Sequence, residues 1–531
     1  MQPLRAPPVL DDPTLPAPLD MPFRTLLAAL PLVLAACAVA PETTTDARAP
    51  VRPAVGDRLA AAVDSIEADV ARGAVPSAAF AVVQDGRIVY EGATGWADRA
   101  RQRQATVRTP YPLASVTKPV VATAALALAE VGRLDLDAPA LDALGWTSPD
   151  PADGYTVRQL LTHTSGLPTY AAIGWGEDAA PFGQRFAQYG IVAQPPGSVY
   201  EYSNLGYGML GEVVAHAADQ PLDDALADLV LRPLGMDDAA LVVGATAPAD
   251  GAARYGSDGA ALPAVDNDTP GAGNLWASAR DLARFAAFHL SDEPSPVLSS
   301  RGRAAMRDPG AAVPTSLYGG ARYGLGWYVR SETGEPIVWH EGEMPGASAL
   351  VALLPERDLA VVVLVNATGS NAQAQRYATW LLQAVAPDAS ALAFEATEGV
   401  PLYGGGDEWV GTWDGTVRVD GTDRPVSVTF SPDSTVTARL PDGAGGVAEA
   451  PALAAWVRGD LVLATLSGRV PGADVLPDAP ATLLRLVRRG NRLDGFIAAY
   501  ASSRGLEHLL PFRVRLRRAP TPAEPAPGGP D

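Results

Sequence analysis

The chain has 531 residues, room for about two or three domains, and its 47% apolar and 19% charged composition excludes wholesale disorder. A formal net charge of −20 and a pI near 4.7 set it against polyanions, so nucleic acid is excluded as an expected partner. A single cysteine, Cys37, excludes an internal disulfide, a CxxC redox pair and a thiolate zinc cage.

In chain order, residues Thr25 to Ala36 (TLLAALPLVLAA) form an apolar run shorter than the roughly 20 residues that cross a bilayer. Arg24 precedes the run, as in the charged start of an export signal. The run ends Leu34-Ala35-Ala36-Cys37, which resembles the lipobox of bacterial lipoproteins. That resemblance implies lipidation of Cys37, export, and anchoring to the membrane of the bacterial cell envelope. Residues 1–37 are therefore expected to be a signal region, with Met21 as the expected start. Residues 38–52, rich in Pro, Thr and Ala, predict a flexible tether, and 519–531 a disordered tail.

From Val55 to Gly73 apolar residues recur at helical spacing (Leu59, Ala62, Val63, Ile66, Val70). The runs SAAFAVVQ and RIVYEG follow, joined by Asp85-Gly86, a strong hairpin signal. Far downstream PIVWHEG, GASALVALLP and DLAVVVLVNA predict strands, and NAQAQRYATWLLQAVA predicts a helix. Helix and strands at one end, with strands and helix at the other, predict one antiparallel sheet built from both ends of a domain at 53–392. The region between, about 100 to 330, is mostly helical in pattern. The fold class is α/β (α+β). After a linker at 393–401, short alternating runs (TVRV, VSVTFS, TVTARL, LVLATL, TLLRLV, FIAAYA, FRVRLR) predict a small antiparallel β-barrel at 402–518.

Ser115-Val116-Thr117-Lys118 opens the apolar run PVVATAALALAEVG. Pro119 suits a first helical turn. Residues i and i+3 of a helix share a face, so the serine and lysine can share a proton. Serine needs an adjacent base to become a nucleophile, and a buried lysine can lose its charge. Lys118 is the only lysine in a chain that otherwise uses arginine. Arginine cannot deprotonate in a protein, which gives the exception a chemical reason. Tyr202-Ser203-Asn204 offers a phenol and an amide, and His340-Glu341-Gly342 follows the strand PIVW and is expected at its end. Alone, Tyr202 and His340 each read as packing residues.

Other patterns fail. Gly206–Gly211 has GxGxxG spacing but follows a loop, and its glycines read as helix packing. No HExxH or GxSxG occurs, and the other histidines (His163, His216, His289, His508) are scattered, so no metal or cofactor is expected.

Taken together, SxxK at 115–118, YxN at 202–204 and HxG at 340–342 resemble the serine β-lactamase and penicillin-binding protein superfamily. The tyrosine in the second motif is similar to the class C branch, which also holds esterases, D-aminopeptidases and D,D-peptidases. LLTHTSGLP (160–168), GAGNLWASARDLARF (271–285), YGLGW (323–327) and HEGEMPG (340–346) match that branch as well. The resemblance covers roughly 55 to 390, and the trailing β domain resembles the small lipocalin-like barrel some members carry. It implies a serine hydrolase with Ser115 as nucleophile, Lys118 and Tyr202 as activating groups, and Asn204 orienting Lys118 and a small-molecule or peptide substrate. It places the oxyanion hole on Ser115 and on Gly342-Glu343, through the backbone N–H groups of Ser115 and Glu343. His340 stands where lactamases carry lysine; a neutral imidazole weakens the case for an efficient β-lactamase and favours ester or D-peptide-like amide substrates. A β-lactamase or penicillin-binding protein, and a non-catalytic peptidoglycan-binding lipoprotein, are the alternatives. The oligomeric state has no signature in the sequence.

Overall fold

The computed structural model describes residues 55–520, apart from 147–153, 170–181, 245, 264–266, 309–320, 331–334, 389–401, 473–474, 476–480 and 504–505. The signal region with Cys37, the tether, the 393–401 linker and the tail beyond 520 lie outside the described residues.

The N-terminal end of the first segment supplies β1 (Ser77–Gln84), β2 (Arg87–Asp98) and β3 (Arg103–Gln104). Short strands β4 (Tyr111–Pro112), β5 (Ala240–Leu241) and β6 (Leu275–Ala277) form a small separate sheet. The other end supplies β7 (Arg322–Tyr323), β8 (Tyr328–Arg330), β9 (Ile337–Met344), β10 (Ala347–Leu354) and β11 (Leu359–Val365). These combine in the order β3-β2-β1-β11-β10-β9-β8-β7, all antiparallel. The sheet is thus assembled from both ends, with Phe80 opposite Val363 at the seam. Asp85 and Gly86 make the β1–β2 turn at φ +51° and +69°, the paired left-handed conformation that a two-residue hairpin requires.

Both faces of the sheet are covered, which explains its near-continuous apolar runs. In β1, Ala79, Ala81 and Val83 face one core, while Ala78, Phe80 and Val82 face the other. Helices Val55–Ala71 and Asn371–Val385 cover the second face through Leu59, Ile66 and Leu381. Helices Thr117–Glu130 and Ala279–Leu290 contribute Val120 and Phe285 to the first. Among the described residues, no helix is long and apolar enough to cross a membrane.

Eight further strands close a barrel in sequence order. They are β12 (Gly411–Val419), β13 (Thr422–Phe430), β14 (Val436–Pro441), β15 (Val447–Arg458), β16 (Leu461–Ser467), β17 (Ala481–Arg489), β18 (Arg492–Ser503) and β19 (Leu506–Arg518). β12 pairs with β19, Trp413 opposite Arg518, so no edge is left open. Trp413, Val428, Phe430, Leu484, Ile497 and Val514 belong to its core. The sequence pattern contains no run for β15. Its residues, VAEAPALAAWVR, are rich in Ala and carry Glu and Pro, poor strand formers; the ladders to β14 and β16 hold it extended.

Candidate active site

Ser115 sits in a 3-10 turn, Ala114–Val116, immediately before the Thr117–Glu130 helix. The helical pattern places Ser115 and Lys118 on one helix; the structure places Ser115 one turn earlier, in the tighter coil. The turn is anchored by Leu113 N–H to Leu275 O (2.8 Å) and Val116 N–H to Leu113 O (3.1 Å). Ala114 is held at φ +44°, a left-handed conformation that costs a residue with a Cβ about 1–3 kcal/mol. The result is a partly exposed Ser115 above a fully buried Lys118.

Lys118 Nζ lies 3.0 Å from Ser115 Oγ, 2.7 Å from Asn204 Oδ1 and 3.0 Å from Ala272 O. Burial holds the amine well below its ordinary pKa. As an ammonium it has three N–H donors for these three oxygens. As a neutral amine it has two donors, and two of the neighbours, an amide carbonyl and a backbone carbonyl, can only accept. They take both N–H groups, so the lone pair is left facing the Ser115 hydroxyl. Both protonation states are satisfied, and the neutral one can take the serine proton.

Asn204 begins the Asn204–Ala218 helix, whose N-cap Ser203 accepts from Gly206 N–H at 2.8 Å. A Cβ on Gly211 would meet Gly271 Cα at 3.2 Å, so this bare helix face lets the 270–273 turn approach and deliver Ala272 O to Lys118. The ring of Tyr202 stands with its centroid 4.7 Å from Lys118 Nζ.

His163, in the segment LLTHTSGLP, is specific in its contacts. Its carbonyl accepts Glu201 N–H (2.8 Å) and its Nδ1 accepts Ser203 N–H (3.0 Å), so it brackets Tyr202 from both sides. Its ring lies 4.4 Å from that of Tyr202. LLTHTSGLP marks the segment, but nothing local in it signals this bracket.

His340, Gly342 and Glu343 lie within β9, which runs on to Met344, rather than at a strand end. Nothing breaks the strand before Pro345, and Ala349 and Ser348 pair opposite Gly342 and Glu343. His340 is fully buried. Its Nδ1 donates to Glu341 O (2.7 Å), leaving Nε2 to accept from Tyr323 Oη (2.9 Å). Burial, then the neighbouring Lys118, push it down to about 3, so the imidazole is neutral. Tyr323 lies in YGLGW, a segment to which the sequence assigns no individual role. Gly342 is the contact with the nucleophile turn: a Cβ there would lie 2.1 Å from Leu113 O and 2.8 Å from Ser115 N. Glu343 is exposed beside it. Among the described residues, no group of three or more His, Cys, Asp or Glu side chains could hold a metal ion.

The Beta-lactamase family model matches residues 62–386. Penicillin-binding protein 4 of Amycolatopsis lactamdurans is 31% identical over 316 residues, covering 55% of this chain and 81% of that protein. Protein flp of Staphylococcus aureus (strain MW2) is 27% identical over 57% of this chain, which spans only 61% of that relative's length. Among solved structures, SurE with D-Leu is similar at 26% identity and a TM-score of 0.60, covering 86% of this chain and 100% of that one.

Proposed function

Because the chain belongs to the Beta-lactamase family, and within the serine β-lactamase and penicillin-binding protein superfamily is a serine hydrolase, we propose that it acts on ester or amide, D-peptide-like substrates through an acyl-enzyme on Ser115. The observation that carries this reading is the buried Lys118 amine, held well below its ordinary pKa and 3.0 Å from the Ser115 hydroxyl, with the Asn204 and Ala272 carbonyls placed to take its N–H groups. Ser115 Oγ attacks the substrate carbonyl carbon as its proton passes to Nζ. Lys118, with Tyr202 beside it, returns that proton to the leaving group, and water then hydrolyses the ester. Asn204 orients Lys118. The N–H groups of Ser115 and Glu343 face the developing oxyanion, an arrangement worth about 10²–10³ in rate per donor. The neutral His340 offers no fixed positive charge to a β-lactam carboxylate, which favours ester and amide substrates over efficient β-lactamase action. The similarity to SurE with D-Leu supports substrates carrying D-residues.

The test is turnover of a p-nitrophenyl ester, nitrocefin and a D-alanyl peptide, with intact-protein mass spectrometry, on wild type and Ser115→Ala. Turnover of the ester or peptide is expected to vanish in the variant, together with the acyl adduct. Equal turnover in both proteins would remove Ser115 from the chemistry. A stable adduct without turnover would favour a penicillin-binding role, in line with the Amycolatopsis relative's name.

The lipobox motif supports placing the enzyme on the cell envelope. Cys37→Ser is expected to shift the protein from membrane to soluble fractions of the expressing bacterium. Retention of the variant in the membrane would sink the lipid anchor.

A further inference from the structure

The barrel grips one loop of the catalytic domain. Gln194 donates through Nε2 to Asp494 O of β18, and Ala193 packs with Phe496, Ala498 and Leu509. Deeper lies an ion pair. Arg485 of β17 donates through Nε to Glu201 Oε2, and through Nη2 to Tyr200 O at 3.4 Å. Glu201 is 4% exposed and Arg485 9%. Thr169 Oγ1 donates to the other Glu201 oxygen at 3.4 Å. Burial pushes the Glu201 carboxyl up, and Arg485 is the largest opposing influence. One peptide bond separates Glu201 from Tyr202, whose two flanking N–H groups are held by His163.

A buried ion pair is a poor device for stability, since apolar residues of like volume often serve as well or better. Its value is directional. The guanidinium holds one Glu201 oxygen and the Tyr200 carbonyl, and with them the chain entering Tyr202 and Asn204. We infer that Arg485 is a positioning residue: acting from the barrel through Glu201, it sets Tyr202 and Asn204 against Lys118, so that the barrel is part of the catalytic apparatus. This inference rests on the Ser115 reading above.

The test uses the full chain. Wild type, Ser115→Ala, Arg485→Met, Glu201→Gln/Arg485→Met and Gln194→Ala are compared for p-nitrophenyl ester kinetics, fluorophosphonate labelling and melting temperature. Arg485→Met leaves a buried carboxylate unpaired, and kcat is expected to fall about 10–100-fold with KM unchanged, the scale of a misplaced catalytic group. The neutral double variant is expected to recover part of that loss. Gln194→Ala is expected to lower the melting temperature and keep kcat. If Arg485→Met does not fold, the double variant decides: kcat below wild type at unchanged KM upholds the inference, and wild-type kcat overturns it. A raised KM with intact kcat would mean that Arg485 meets the substrate itself. Loss of melting temperature alone would make the pair a mere staple between the domains. An equal fall in kcat in Gln194→Ala would also overturn the assignment. A wild type that neither labels nor turns over would remove the Ser115 reading and this inference together, whereas an active wild type with unaffected variants removes this inference alone.

Discussion

Lys118→Met is expected to abolish acylation, lowering kcat/KM for the ester probe and the rate of fluorophosphonate labelling by about 10²–10⁴-fold, the usual worth of a positioned base. Methionine nearly conserves the volume, so the buried Thr117–Glu130 helix can keep its packing. In the wild type the rate is expected to rise with pH through the lowered pKa of Lys118 and then level off, because only the neutral amine accepts the serine proton. His340, down at about 3, contributes no step between roughly pH 5 and 8. Stability carries the same signature. The unfolded lysine binds its proton up to about pH 10.4, the folded one only to a lower pH. Between those two values the unfolded state holds more protons, so unfolding free energy rises with pH, at most about 1.4 kcal/mol per pH unit. In Lys118→Met that slope is expected to disappear. Denaturant unfolding across pH, run beside the rate profile, checks both; a wild-type slope that persists in the variant would mean that another group titrates.

Gly342→Ala is expected to be nearly as damaging without touching any side chain of the site. The added Cβ would lie 2.1 Å from Leu113 O, 2.8 Å from Ser115 N and 3.0 Å from Val116 N. All three are backbone atoms, so no side chain can swing away. Either β9 or the Ala114–Val116 turn must move, and β9 is held by its ladder to β10. The turn already carries the strained Ala114 and is expected to give way. A shift of about 1 Å at the nucleophile costs on the order of 10²-fold in rate. Steady-state kinetics with circular dichroism checks it: native secondary structure with kcat reduced on that scale is the expected result. Unimpaired kcat would show that the contact between β9 and the nucleophile turn is dispensable.

The legible parts of this protein are those with a local signature. Asp85-Gly86 announces its hairpin because two adjacent left-handed residues are demanded there. β1, β10 and β11 announce a sheet buried on both faces through unbroken apolar runs. The lone lysine three residues after a serine is legible because one chemistry requires it. What escapes is set by tertiary contact. β15 is held extended by neighbours on both sides, against its own composition. His340 looks like the free end of a strand until Tyr323 and the Glu341 carbonyl are seen to occupy both ring nitrogens. Ala272 supplies a backbone carbonyl, which no side chain announces. Arg485 and Glu201 are partners across the domain boundary, with no spacing rule to connect them.

The seam between β1 and β11 has a consequence for how the protein is made. The ribosome delivers Val363 about 280 residues after its partner Phe80, an interval on the order of 15–60 s at ordinary synthesis rates. Throughout that time Ser77–Gln84, an apolar strand, has β2 on one side and nothing on the other. Pairing at such sequence separation is entropically slow, and an unpaired apolar edge is a template for the wrong partner. The second edge of Ser77–Gln84 therefore stays open until β11 arrives, and the last strand added to the centre of the sheet is the one that closes it.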